Sequence, residues 1–200
     1  MKRFLIILLA IYPIFLFGQQ NEMNFELPLY KMDLPVDEET GLITFVYVFK
    51  AENSTKEGLY YKALDWFTEK YNAVDQVLWI NDKENGELFG KPFTDIMILE
   101  AGMGEMEKMY YTIRIYLKEG RYKCVVTDIQ YQSYPSEFDQ FPDRYAAESI
   151  IISELYKKKG KVRSTNLQYK EKTISSVRSL VMDLQQAMNS ISVTANSDDW

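Results

Sequence analysis

Between Tyr110 and Gln132, apolar and polar positions alternate with a period of two, the spacing that puts side chains on opposite faces of an extended strand. Tyr111, Ile113, Ile115 and Leu117 share one face, and Tyr110, Thr112, Arg114 and Tyr116 share the other. Glu119-Gly120 breaks the run, and Gly120 can take the positive φ that a two-residue hairpin loop needs. That register sets Leu117 opposite Tyr122, Ile115 opposite Cys124 and Ile113 opposite Val126. The result is one apolar face, and it needs a cover.

The pattern elsewhere supplies candidates. LITFVYVFK, residues 42–50, is apolar on both faces, as suits a strand inside a sheet. Asn53-Ser54-Thr55 ends it and opens a helix, with Ser54 and Glu57 at capping-box spacing. Leu59, Ala63, Trp66, Phe67 and Tyr71 recur at helical spacing and form the stripe that should cover the sheet. Residues 74–81 read as a second strand, and Asn85-Gly86 as a hairpin turn. Residues 87–99 read as a third strand, with Gly90 and Pro92 marking a bulge or an edge. Residues 100–108 read as a loop. Tyr134-Pro135 stops the last strand. Two helices are predicted beyond it. One spans 143–159 and ends on Lys157-Lys158-Lys159-Gly160, and the other spans 172–189 with Ile174, Val177, Leu180, Val181, Leu184 and Met188 on one stripe. Residues 191–200 should fray.

At the other end, Lys2-Arg3, the apolar run Phe4 to Phe17 and the small Gly18 have the layout of a secretory signal peptide cleaved near Gly18. Fourteen apolar residues interrupted by Pro13 fall short of a membrane span, which needs roughly 20. The expectation is an exported, periplasmic or secreted protein with no membrane span after cleavage. Its plan is a leader at 1–18, a flexible lead-in at 19–33, a folded domain at 34–132 and a helical extension at 133–200.

Composition narrows the chemistry. The chain has no histidine, which removes Ser-His-Asp and Cys-His catalysis and histidine metal sites together. Its one cysteine, Cys124, falls mid-strand on the core face and reads as a buried, inert thiol. Net charge is −6, and about −8 once Lys2 and Arg3 are lost, which argues against nucleic-acid binding. Two stretches carry groups that bind cations elsewhere. Asp37-Glu38-Glu39 suggests calcium but lacks alternating ligand spacing, and a calcium loop aligned on Gly86 puts Lys83 and Pro92 at ligand positions. Met103, Met106 and Met109 offer thioethers to Cu(I), with no histidine or cysteine to reinforce them; the plainer reading is gap-filling. No metal and no cofactor is expected.

The segments DEETGLITFVYVF, Ala63-Leu64-Asp65-Trp66-Phe67, VLWINDKENGELFGK and YYTIRIYLKEGRYKCVVTDI, in that order, resemble an uncharacterised exported bacterial family described as a domain of unknown function with a TATA-binding-protein-like (TBP-like) fold. The likeness covers about 34–132. It implies an α+β fold with a curved antiparallel sheet in the order β-α-β-β-β-β-α, a helix packed on one face and extra C-terminal helices. It carries no catalytic residue. It does not imply DNA binding either, since TATA-binding protein relies on a basic saddle and wedge residues, and this chain is acidic.

Three functions stay open on these residues. The first is a non-catalytic interaction domain for an unknown protein or envelope component, using the second face of the hairpin. Tyr110, Arg114, Tyr116, Lys123, Val125 and Ile129 would project there, unless the C-terminal helices cover them. The second is a small apolar-ligand carrier with a cavity between helix and sheet. The third is a carboxylate-based hydrolase using Asp82, Glu84 or Asp128, with Asp128 facing the core opposite Tyr111.

Overall fold

A computed structural model describes residues 33–71, 73–100, 103–152 and 164–189. Its spine is a ribbon of two long antiparallel strands, β5 (Met103–Lys118) and β6 (Arg121–Ser133). On one side of the ribbon, β1 (Phe45–Lys50) and the short β7 (Tyr145–Ala146) pair with β6. On the other, β3 (Glu87–Gly90) and β4 (Phe93–Glu100) pair with successive parts of β5. Adding β2 (Leu78–Asp82) outside β3 completes a seven-stranded antiparallel sheet. The hairpin register is the one the alternation predicts, with Leu117 opposite Tyr122, Ile115 opposite Cys124 and Ile113 opposite Val126. Gly120 sits at φ +68° in its turn. Gly86, at φ +66°, brings the β2–β3 turn against β5, where a Cβ would lie 2.6 Å from the Leu117 carbonyl oxygen.

Two helices cover one face of this sheet. α1 (Lys56–Lys70) buries Leu59, Tyr60, Ala63, Trp66 and Phe67, the expected stripe plus Tyr60. Its cap is Thr55, whose hydroxyl accepts the Gly58 N–H at 3.0 Å, one residue later than the capping-box spacing predicts. The backbone of Ser54 is used instead to hold the β5–β6 turn, its carbonyl accepting the Gly120 N–H at 2.9 Å. α3 (Ser164–Asn189) lies beside α1 and against β4, burying Ile174, Val177, Leu180, Val181, Leu184 and Met188 in the same core. The Trp66 indole and the Lys70 amine both donate to Asp183 Oδ2, at 3.0 and 2.6 Å, and tie the two helices together.

Four expectations are corrected. Residues 74–77 form a helical turn, α2 (Val74–Val77), so the second strand begins only at Leu78. The third strand divides at Lys91-Pro92 into β3 and β4, because proline has no N–H for a continuous ladder. Most of the expected 100–108 loop is strand: β5 starts at Met103 and pairs with β4. The predicted 143–159 helix is replaced at its start by β7 and a single π-helical turn, Glu148–Ile152. There Glu148 accepts the Ile43 N–H at 2.7 Å, and Ala147 and Ile151 are buried.

α3 also starts earlier than its apolar stripe. Its first turns carry polar residues that satisfy neighbouring backbone: Asn166 donates to the Ile150 carbonyl, and Gln168 bonds both the N–H and the C=O of Leu99. The leader, the lead-in to residue 32, the Lys157–Arg163 basic run and the 191–200 tail lie outside the described residues.

Candidate functional site

The ribbon is regular except at one point. Thr112 pairs with Thr127 and Tyr110 with Gln130, so two residues of β6, Asp128 and Ile129, stand opposite Tyr111. This is a β-bulge, and Asp128 takes the left-handed conformation, φ +51°, that such a position demands. The extra residue shifts the alternation by one. Ile129 and Tyr131 therefore turn into the core, fully buried, and Asp128 turns out of it. Both sequence expectations for this spot are corrected: Ile129 is not on the second face, and Asp128 does not face the core.

Tyr110, Arg114, Tyr116, Lys123 and Val125 do share the second face, on the side away from α1 and α3. No described element lies over it. Cations and aromatic rings interleave across it. The Lys91 amine stands over Trp79 and Phe89, and the Arg114 guanidinium over Phe89 at 4.7 Å. Lys123 covers Tyr116 at 4.4 Å, Lys108 sits between Phe93 and Tyr134, and Arg144 stacks on Tyr110 at 3.6 Å. Arg114 is further held by Glu87 Oε1 at 3.4 Å and by the Tyr116 hydroxyl at 3.2 Å. Each such contact contributes about 0.5–1 kcal/mol when exposed, so the array mainly fixes side-chain positions.

Toward the hairpin tip, Val46 and Val48 are exposed, and Val48, Tyr116, Lys118, Arg121 and Lys123 line a cavity of about 270 Å³. Among the described residues, none of those three cations is ion-paired. At the bulge, a second cavity of about 270 Å³ is walled by Trp79, Lys91, Tyr110, Thr112, Asp128, Gln130 and Arg144. Thr112 and Gln130 donate to the Asp128 carboxylate at 3.4 and 2.9 Å, and the Lys91 amine lies 3.9 Å from it.

The other candidates do not assemble. Among the described residues, Asp128 is the one carboxylate lining its cavity. Asp82 and Glu84 belong to the β2–β3 turn, where Asp82 accepts the Asn85 N–H at 2.9 Å and Lys56 donates to the Glu84 carbonyl. Asp82 and Glu84 thus stand apart from the bulge cavity, where among the described residues Asp128 has no second carboxylate beside it. Met103, Met106 and Met109 lie on one strand, and the odd spacing turns Met106 to the face opposite Met109, which is buried. Among the described residues no group of histidine, cysteine and carboxylate side chains could hold a metal. Asp37 is spent on its own turn, accepting both the N–H and the hydroxyl of Thr40. Burial pushes the Cys124 thiol up to about 12, consistent with its core position. Under the helices, Lys70, Thr94, Tyr111, Ser176, Ser179 and Leu180 line about 150 Å³, small and polar for an apolar cargo.

Lys91, Lys108, Arg144, Trp79, Phe89 and Phe93 were not singled out from the sequence. Extending the strand alternation back past Tyr110 would have placed Lys108. Arg144 has no local signal, since it reaches the face through the β6–β7 connection.

Three comparisons bear on this architecture. Residues 45–132 match the model of a family described as a domain of unknown function (DUF4468) with TBP-like fold. A TBP-like protein from Parabacteroides distasonis has a similar structure, with TM-score 0.58 and 20% identity over 80% of this chain and 97% of that one. A DUF4468 family protein from Bacteroides ovatus is also similar, with TM-score 0.64 and 19% identity over 80% of this chain and 92% of that one. At such identities these likenesses establish the fold alone. No curated protein matches the chain.

Proposed function

For a chain whose residues 45–132 carry this domain of unknown function with a TBP-like fold, we propose a non-catalytic binding role, exercised by the outer sheet face on an exported protein. The observation that carries it is the asymmetry of the sheet: both long helices pack on one face, and the other is bare of described elements while holding fixed cations over aromatic rings. Rigid aromatic and arginine side chains beside exposed valines have the composition of interface centres.

Charge indicates the partner. The chain as a whole is acidic, yet its outer face presents Lys91, Lys108, Arg114, Lys123 and Arg144 against Glu87, Asp95 and Asp128. An acidic protein surface is the complement. Single-stranded nucleic acid is a poor fit, because bases need open ring faces and here cations already stand over them. Export follows from the leader pattern, and an envelope or secreted partner follows from export.

A photo-crosslinking residue tests this at Val48 on the outer face and, in parallel, at Met182 on α3, both exposed and apolar. A protein captured at position 48, not at 182, and lost on Lys123→Glu or at raised salt supports the reading. Capture at 182 alone, or equally at both, overturns it.

A further inference from the structure

We propose that the cavity beside the β6 bulge is a binding site for a single carboxylate group, with Arg144 as its clamp. The site lies on the face assigned above to a partner, but stands on its own geometry. Among the described residues, two cations, Lys91 and Arg144, and one carboxylate, Asp128, line it. Asp128 is engaged by Lys91, Thr112 and Gln130, so the charge left over belongs to Arg144. The Arg144 guanidinium carbon stands 3.6 Å from the centre of the Tyr110 ring, and among the described residues no carboxylate pairs with it. Contact with the ring holds the group in place, and its planar fork of donors is the one that takes a carboxylate bidentately.

Size and charge refine the ligand. About 270 Å³ admits a body on the scale of one sugar or amino-acid residue. The Trp79 ring, with the Lys91 amine over it at 5.0 Å, supplies one wall, and the Gln130 amide oxygen remains as an acceptor. One uncompensated positive charge matches a monoanion better than a phosphate dianion. The bulge adds a second argument: a left-handed position in such a bulge goes to glycine by default, whereas here it holds a carboxylate that orients the lysine, threonine and glutamine around the cavity.

The carboxylate can come from a free acid or from a partner's acidic side chain. Titrations of the full-length chain at constant ionic strength, followed by the Trp79 indole resonance in NMR, separate the sources. The probes are glucuronate, glucose, N-acetyl-glutamate amide and inorganic phosphate. Saturable shifts with glucuronate or with the glutamate derivative, and none with glucose, support the site; whichever acid binds tighter identifies the source. Arg144→Gln should weaken binding about tenfold, the loss of one charge-assisted pair. Asp128→Asn keeps a residue that tolerates positive φ and removes the one negative charge, so it should tighten binding roughly three- to tenfold. A purely structural role predicts no such opposed pair of effects. Equal shifts with glucose, equal or stronger phosphate binding, or insensitivity to Arg144→Gln would overturn the proposal. None of these results depends on whether the wider face captures a protein, so the two readings fail separately.

Discussion

Tyr122 and Tyr131 give the same substitution opposite signs. Both rings are buried on the core face of β6. The Tyr131 hydroxyl is bonded to Thr173 Oγ1 on α3 at 2.5 Å, whereas the Tyr122 hydroxyl has no hydrogen-bond partner among the described residues. The Thr173 hydroxyl already donates to the Tyr169 carbonyl at 2.8 Å, so in the pair it accepts from Tyr131. Replacing Tyr122 by Phe keeps the stacking on Phe49, with centroids 4.9 Å apart, and removes an orphaned hydroxyl. A buried hydroxyl without a partner costs about 1–3 kcal/mol, and the oxygen's small void gives part of that back, so Tyr122→Phe should stabilise by about 1 kcal/mol. Tyr131→Phe should destabilise by about 1–2 kcal/mol, because it breaks a bond between sheet and helix. Urea denaturation with an unchanged slope reads both, and for a chain of this size Tm should move about 2–4 °C per kcal/mol. A loss of about 1 kcal/mol or more in Tyr122→Phe would refute the reasoning, since it would mean that the hydroxyl has a partner. Equal losses in both variants would refute it too.

Other expectations follow from single contacts. Cys124 should resist a thiol reagent in the native state at neutral pH, since burial holds its thiol near 12, and should react fully in denaturant. Rapid native labelling would show that the core face is open. Gly86→Ala should lower stability by at least about 2 kcal/mol in urea melts, because a left-handed position and a backbone clash act together. Trp66→Ala should cost about 3–5 kcal/mol, with the helix-tying bond to Asp183 also lost. Desolvation raises the Asp183 pKa, but the Lys70 and Trp66 hydrogen bonds outweigh it and the net shift is downward. A depressed folded pKa gives stability that is present above the unfolded value, near 4, and is lost as pH falls through the folded one. Acid melts of Asp183→Asn should therefore show a weaker fall below about pH 4 than the parent chain.

The legible part of the fold was the part written in local periodicity. Ile113, Ile115 and Leu117 against Tyr122, Cys124 and Val126 needed only a period of two and a turn glycine, and the stripe from Leu59 to Phe67 needed only a helical one. Reading failed where side chains answer to remote partners. The first turns of α3 carry Asn166 and Gln168, which lack an apolar rhythm because they face the backbone of Ile150 and Leu99. Residues 143–152 look helical in isolation, yet they are held by a strand pairing to β6 and by the Glu148–Ile43 bond. Neither bond leaves a mark on the local pattern.

The bulge is the instructive case, because one residue reassigns a whole strand end. Counting by twos from Val126 puts Asp128 in the core, Ile129 on the surface and Tyr131 beside it, a sequence-consistent answer with the chemistry inverted. Had that register been real, a carboxylate would be buried and an isoleucine and a tyrosine exposed, with a desolvation cost of several kcal/mol against it. Setting Asp128 at φ +51° costs about 1–2 kcal/mol, at the low end for a residue that tolerates that region, so the bulge wins. The same inversion determines what the outer face can do. It withdraws Ile129 from the surface and sets in its place a carboxylate among Lys91, Thr112 and Gln130. The apolar component of the face then lies at the Val46–Val48 corner and, beyond the bulge, at Met97, Leu99 and Met106, while the bulge between them is polar and charged. A partner that uses both must carry an apolar segment and an acid spaced to match, which is a narrower requirement than either feature sets alone.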